Sequence, residues 1–305
     1  MSGNWSLILC YHRIAEGVED PFQLCVEPAN FAAHLDEIAR YGEPSTLDEL
    51  SLPSRRPRIV VTLDDGYVDN LVNALPVAEA KGIPITVFVT SGAVGNPNGF
   101  WWDRLGTLLR LRPAGIREVV LPAIDGIVRV EVGNSAPKDD LQAVRRHLLV
   151  LPAAEIHRAL DAVSEQWATP AAPPPDARPL TPSELLQLAR SKAVTIGAHT
   201  VDHVCLRGLP KAEQFETISS SRKHLERLSG LTISHFAYPY GGPDGFDDSS
   251  VDAARSAGLK TACTAIPGNA RPSSDPYRLP RRIVMNWDRL RFKVSLLRWR
   301  VVPWR

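Results

Sequence analysis

The stretch Ile59-Val60-Val61-Thr62-Leu63-Asp64-Asp65-Gly66-Tyr67 decides how this chain is read. Its β-branched apolar run, bounded by Pro57 and Gly66, has the composition of a buried strand, and it ends in two adjacent carboxylates. Two such charges repel, and each costs several kcal/mol, roughly, to bury unpaired, so a positive group belongs beside them. A bound divalent cation supplies one. Successive side chains on a strand point opposite ways, so at the strand end one Asp can hold an ion while the other faces an attacking water. The plain structural reading is a turn with Asp as a helix cap, where Asp-Gly is common.

A second cluster closes another β-branched run: Val194-Thr-Ile-Gly-Ala198 leads into His199-Thr200-Val201-Asp202-His203. Two His four apart meet on one face of a helical turn, which is metal-ligand spacing. Asp65 with His199 and His203 makes a two-His, one-carboxylate set with open positions for water and substrate. Both clusters sit at the C-terminal ends of strands, where α/β barrels carry their chemistry. A third apolar run, Ser6 to Tyr11, delivers His12 at its own C-terminal end.

Outward from these runs the rhythm is strand, helix, strand, which predicts a parallel sheet. Amphipathic helices are predicted over Asn30–Tyr41 and Asp69–Lys81, each stopped by a glycine, and Ile85–Thr90 is the next strand. From Pro97 to Leu180 the rhythm breaks. Phe100-Trp101-Trp102-Asp103 opens a short helix, Arg117–Val132 alternates as a hairpin around Ile124-Asp125-Gly126, two helices follow, and a proline-rich stretch closes an inserted subdomain. Thr181-Pro-Ser-Glu184 is a capping box that starts a helix running to about Lys192. Strands starting near Ser6, Ile59, Ile85, Val194, Ile233, Leu259 and Arg282 bring the count to seven. The expected fold is α/β: one domain over 1–305, a distorted barrel, with 97–180 inserted and 286–305 a basic amphipathic C-terminal segment.

The 305 residues suffice for one large core. A net charge of +1 argues against a nucleic-acid partner, although the stretch 281–305 holds eight Arg/Lys against one Asp. Leu290, Val294, Leu297, Val301 and Trp304 fall on one helical stripe, suited either to docking on the barrel or to peripheral contact with an anionic membrane. The four Cys have no paired spacing and read as reduced thiols. No basic segment followed by a long apolar run opens the chain, and a cytoplasmic location is expected.

These motifs resemble those of the polysaccharide deacetylases of the NodB-homology type, carbohydrate esterase family 4. Thr62-Leu-Asp-Asp-Gly66 is similar to their first motif, His199-Thr-Val-Asp-His203 to their second, and Tyr238-Pro-Tyr-Gly241 to part of their third, in family order. The resemblance implies a distorted seven-stranded (β/α) barrel and a metal-dependent hydrolase that removes an N-acetyl, or N-formyl, group from an amino sugar or glycan in polysaccharide biosynthesis. It assigns Asp64 as base and Asp65, His199 and His203 as ligands of a divalent ion, zinc first, with Co2+, Ni2+ or Fe2+ compatible with the same donors. It also gives the Tyr240 backbone N–H to the oxyanion and, through Tyr11-His12, a proton from His12 to the leaving amine. Where the family often carries an Arg two residues before the Pro, this chain has Ala237, so Arg281 or Arg282 is the candidate to orient Asp64. No match exists to the family's acetyl-pocket motif or its late Leu-x-His. Trp101, Trp102 and Arg281 are the candidate substrate contacts, the Trp pair being equally suited to pinning the insertion.

Rival readings are weaker. A two-His, one-carboxylate site also describes non-haem iron oxygenases, but the strand-helix alternation and the second Asp argue otherwise. A His-Glu-x-x-His protease is excluded by Thr200, which cannot act as a base. The non-enzymatic alternative is a degenerate barrel that binds glycan or a partner without turnover.

Overall fold

A computed structural model describes residues 5–16, 20, 22–123, 126–133 and 137–301. The chain divides into two compact units, one formed by Met1–Val94 with Leu180–Arg305 and one by Gly95–Pro179.

The first unit is built on β1 (Ser6–Tyr11), α1 (Pro28–Tyr41), β2 (Arg58–Leu63), α2 (Leu75–Lys81) and β3 (Ile85–Val89). The second unit, described by itself below, contributes α3 (Trp101–Arg110), β4 (Glu118–Ala123), β5 (Gly126–Glu131), α4 (Pro137–Leu148) and α5 (Ala153–Trp167). The first unit then resumes with α6 (Pro182–Ala189), β6 (Val194–Ala198), α7 (Lys211–Ser229), β7 (His235–Ala237), α8 (Asp248–Ser256), β8 (Thr261–Cys263), β9 (Arg282–Ile283) and α9 (Arg289–Val301). Its strands pair in parallel in the order β8-β7-β6-β3-β2-β1-β9, with Glu43–Pro44 a short extra strand beside β2. A parallel bridge from Cys263 of β8 to Leu279, three residues before β9, brings the two edges of the curled sheet together. This is the distorted seven-stranded (β/α) barrel.

Strand alternation divides the core. Ile8, Val60, Phe88, Ala237, Cys263 and Leu279 fill the barrel interior, while Leu7, Leu9, Ile59, Val61, Ile85 and Val87 pack outward with helix residues such as Phe31, Leu35, Ile218 and Leu225. The near-continuous burial of β1, β2 and β3 is what a sheet covered on both faces requires. Gly197 belongs to this packing: a Cβ there would come within 2.4 Å of the Phe88 ring.

Local chemistry explains where the helices depart from expectation. The predicted helix from Asp69 splits into a π-helical turn, Asn70–Ala74, and α2, because Pro76 lacks an N–H and its ring clashes with the preceding turn. Gly82 then caps α2 in the left-handed conformation, as expected. Gly42, by contrast, ends α1 in extended backbone, and what demands glycine is space, since a Cβ would lie 2.4 Å from Ile59. The Thr181 capping box is formed, but α6 stops at Ala189.

In the second unit β4 and β5 pair antiparallel up to Ala123 and Gly126, while Ile124 and Asp125 of the expected turn lie outside the described residues. Arg104, on the buried side of α3, binds Asp161 and His157 of α5 and the Ala171 carbonyl.

The C-terminal helix docks through a face other than the expected stripe. Phe292 and Leu296 are buried, with Phe292 stacked on His34 of α1 at 3.9 Å, and Arg289 donates to Glu37 at 2.6 Å. Leu290, Val294 and Leu297 face outward. Pro303 and Trp304 and the side chain of Val301 lie outside the described residues. No helix among the described residues is long and apolar enough to cross a membrane.

Candidate metal and acid–base site

The site forms at the C-terminal ends of β1, β2 and β6, from residues that leave the strands in turns. Asp64 is the first residue past β2, its N–H donating to the Tyr11 carbonyl at 2.9 Å. Asp65 then takes a left-handed conformation, φ +74°, with its carbonyl accepting from the Thr90 N–H. The two carboxylates are therefore separated by this turn and not by strand alternation, which stops at Leu63. Likewise His199 and His203 are brought together by a turn in which Thr200 and His203 have φ of +60° and +53°, and not by a helix. A β-branched residue such as Thr200 is rarely left-handed. It is held there by the Ser91 N–H and the Ser221 hydroxyl, both donating to its carbonyl. Tyr240 has φ +57°, and its ring stands edge-on to His203 at 4.7 Å. Four of the six non-glycine residues with positive φ among those described are thus at this one site, as expected where surrounding structure enforces a functional geometry.

Asp65, His199 and His203 converge. Asp65 Oδ1 lies 3.3 Å from His203 Nε2 and 3.6 Å from His199 Nε2, is buried, and makes no hydrogen bond of acceptable geometry. His199 Nδ1 is 2.8 Å from the Ala237 carbonyl, which can only accept, so Nδ1 carries the proton and Nε2 turns a lone pair toward the carboxylate. Burial lowers His199 to about 4, so its ring is neutral near pH 7. Burial alone would raise Asp65, but His203 and its neighbouring imidazoles hold it below the usual carboxylate range. Two lone pairs facing each other across a buried gap call for a cation between them. The separations suit one: ligand atoms around tetrahedral zinc lie about 3.4 Å apart, against roughly 2.9 Å for an N–H···O hydrogen bond. The residues fit a divalent ion.

Asp64 is a different kind of carboxylate. Arg281 Nη1 and Nη2 donate to its two oxygens at 2.6 and 2.7 Å, and Arg281 also binds Thr62 Oγ1 and the Thr264 carbonyl. Burial would push Asp64 up, yet the Arg281 guanidinium holds it well below the ordinary range, so it stays ionised. Arg281 is 1% exposed with its donors committed, which corrects its assignment as a substrate contact: it orients Asp64. It occupies the role that Ala237 leaves vacant, from the residue just before β9 in place of the third motif.

His12 is partly exposed, and its ring nitrogen lies within 4.8 Å of Asp64 and of Cys10. Its main chain is fixed by the Asn70 side chain, which donates to the His12 carbonyl, and by Arg13, which pairs with buried Asp69 at 2.9 Å. Sequence reasoning missed Asp69, Asn70 and Cys10. The Asp69-Asn70 pair after Asp-Asp-Gly was the available signal, read only as a helix start. Trp101 and Trp102 are both buried within the second unit, Trp102 stacked on Phe100 at 4.7 Å and Trp101 edge-on to Trp102 at 5.6 Å, an arrangement that serves packing.

Comparisons with known proteins agree with this geometry. The family model for polysaccharide deacetylases matches residues 139–262. A putative polysaccharide deacetylase of Bacillus subtilis, YxkH, is 21% identical over 281 residues, covering 90% of this chain and 69% of the relative. Among solved structures, IcaB from Ammonifex degensii aligns with a TM-score of 0.63 at 18% identity, and the Streptococcus pyogenes deacetylase PplD in complex with acetate with 0.61 at 16%. Both alignments cover 97% of each chain and establish likeness of fold. With its three motifs in order at these strand ends, the chain resembles the polysaccharide deacetylases.

Proposed function

We propose that the protein is a metal-dependent hydrolase that removes an N-acyl group, acetyl first and formyl second, from an amino sugar. The observation that carries this reading is the pairing of an Arg281-held Asp64 with the convergent Asp65–His199–His203 set. A degenerate binding barrel would have no need to keep both an ionised carboxylate and an uncommitted one buried side by side.

Asp65, His199 and His203 would hold the ion, which when bound polarises the acyl carbonyl and lowers the pKa of water. Asp64, ionised and fixed by two charge-assisted hydrogen bonds, takes the proton from the attacking water. The Tyr238–Gly241 turn presents the Tyr240 backbone N–H to the oxygen on which charge develops. His12, whose ring nitrogen lies within 4.8 Å of Asp64, gives the proton that the departing amine needs. The proposal includes a cytoplasmic place of action on a nucleotide-linked or lipid-linked sugar, the outward Leu290, Val294 and Leu297 among basic neighbours lending support to membrane proximity.

The test is incubation of the purified protein with soluble and lipid-linked N-acetyl and N-formyl hexosamines, with released acid read by NMR. Release of acetate or formate that is lost on chelation and restored by zinc is expected. No acid from any substrate would overturn the hydrolase reading. Elemental analysis checks the ligand set separately: His203→Ala should lose metal, and equal content in the variant and the wild type would reject it.

A further inference from the structure

Cys10 takes no part in the hydrolysis described above, yet it is in the middle of the site. It lies on β1, two residues before His12, is 1% exposed, and its Sγ donates to Asp64 Oδ2 at 3.4 Å. Its sulfur, a ring nitrogen of His12 and a carboxylate oxygen of Asp64 all lie within 4.8 Å of one another. We propose that Cys10, His12 and Asp64 form a second, thiophilic metal site that fills after the Asp65–His199–His203 site and inhibits the enzyme when filled.

Thiolate, imidazole and carboxylate are together a donor set for zinc and for softer ions such as cadmium. With zinc bonds of about 2.3 Å to sulfur and 2.1 Å to oxygen, tetrahedral geometry places the two donors about 3.6 Å apart, close to the 3.4 Å between Cys10 Sγ and Asp64 Oδ2. Arg281 does not forbid this. It uses one lone pair on each carboxylate oxygen, and the one on Oδ2 that now receives the thiol proton becomes free when that proton leaves. Charge is also balanced: the thiolate and Asp64 offset Arg281 to a formal −1, the same as Asp65 with two neutral His. Binding breaks the S–H bond, releases its proton to solvent and forms a sulfur–metal bond, with no change of oxidation state. Because that proton must be displaced and the Arg281 charge is adjacent, this site fills second. An ion there occupies both groups that move protons in the proposed reaction, so turnover stops. The inhibitory consequence rests on the hydrolase reading; the site itself does not.

The experiment is a cadmium titration of protein already loaded with one equivalent of zinc, following thiolate-to-cadmium charge-transfer absorbance, proton release and turnover. The Asp65–His199–His203 site has no sulfur and gives no such band. In the wild type the band should grow with one further equivalent while turnover falls by about tenfold or more. C10S should show neither change while still binding its first equivalent, and C205S should behave as the wild type, since Cys205 is the more exposed thiol. His12→Asn, at the open side of the cluster, should weaken cadmium by about tenfold or more in the same titration, which guards against misfolding of C10S. No band in the wild type, a band retained in C10S or lost in C205S, or unchanged affinity in His12→Asn would each overturn the site. The band is read without substrate, so its absence leaves the hydrolase reading standing, and a band on an inactive holoenzyme would reject that reading alone.

Discussion

Asp64 carries two demands that pull against each other: a proton acceptor is strongest when its pKa is near the working pH, yet a buried carboxylate is tolerated only when paired. Arg281 resolves this in favour of pairing, fixing direction at the expense of basicity. Asp64→Asn keeps the shape and removes the acceptor, so turnover should fall about 10²–10⁴-fold with metal content unchanged; activity within tenfold of wild type would refute the role. Arg281→Met leaves the carboxylate buried and alone, a loss on the order of 3–5 kcal/mol in denaturant unfolding. The sign of its pH effect follows from the causes acting on Asp64: burial raises and Arg281 lowers. Removing Arg281 should therefore move the acidic limb of the pH–rate profile to higher pH, and a limb that stays in place would assign it to another group.

Between residues and fold stand the elements, and here the sequence was most legible. All seven strands of the sheet were placed from sequence, most clearly where burial on both faces leaves an unbroken apolar run, as at β1, β2 and β3. The Asp64-Asp65 and His199–His203 clusters and His12 were legible as candidates, since each closes an apolar run, and the structure brings them together. What could not be read were the turns that aim them: left-handed backbone at Asp65, Thr200, His203 and Tyr240 is imposed by tertiary contacts, and at β-branched Thr200 it runs against the residue's own preference. For the same reason a helical His-x-x-x-His was expected where a strained turn exists. Pairings distant in sequence, Arg281 with Asp64 and Asn70 with His12, leave no local pattern at all. Gly197 shows how closely β6 and β3 meet inside the barrel. Gly197→Ala should cost about 1–3 kcal/mol through overpacking against Phe88, and Phe88→Leu in the same chain should recover part of it. A double variant no more stable than Gly197→Ala would show that the strain lies elsewhere.

At the scale of the whole barrel, the first and last elements of the first unit pair along a seam distinct from the Cys263–Leu279 closure. β9 pairs with β1, the Val284 N–H donates to the Cys10 carbonyl, and α9 packs on α1, so the segment from Arg281 into β9 is secured by contacts remote from the site. Phe292→Ala should destabilise by about 3–5 kcal/mol and speed amide exchange at Val284 more than at His199, whose N–H bonds Val89 within the middle of the sheet; equal acceleration at both would mean the seam is no weaker than the rest. His34 lies at the same junction, donating through Nε2 to the Trp287 carbonyl and facing the Tyr11 hydroxyl through Nδ1, a pairing that suits the neutral ring. Burial lowers it to about 4, against about 6.5 in the unfolded chain. A depressed pKa means that the unfolded state takes up the proton first, so this contribution to stability is complete above about pH 6.5 and is lost as pH falls toward 4. Gln keeps a donor for Trp287 and an acceptor for Tyr11 without titrating. His34→Gln should therefore lose less stability than wild type between pH 7 and 4.5, by on the order of 2–3 kcal/mol, in denaturant midpoints measured at both. Equal losses would mean that the seam is not the part of the barrel that acid opens.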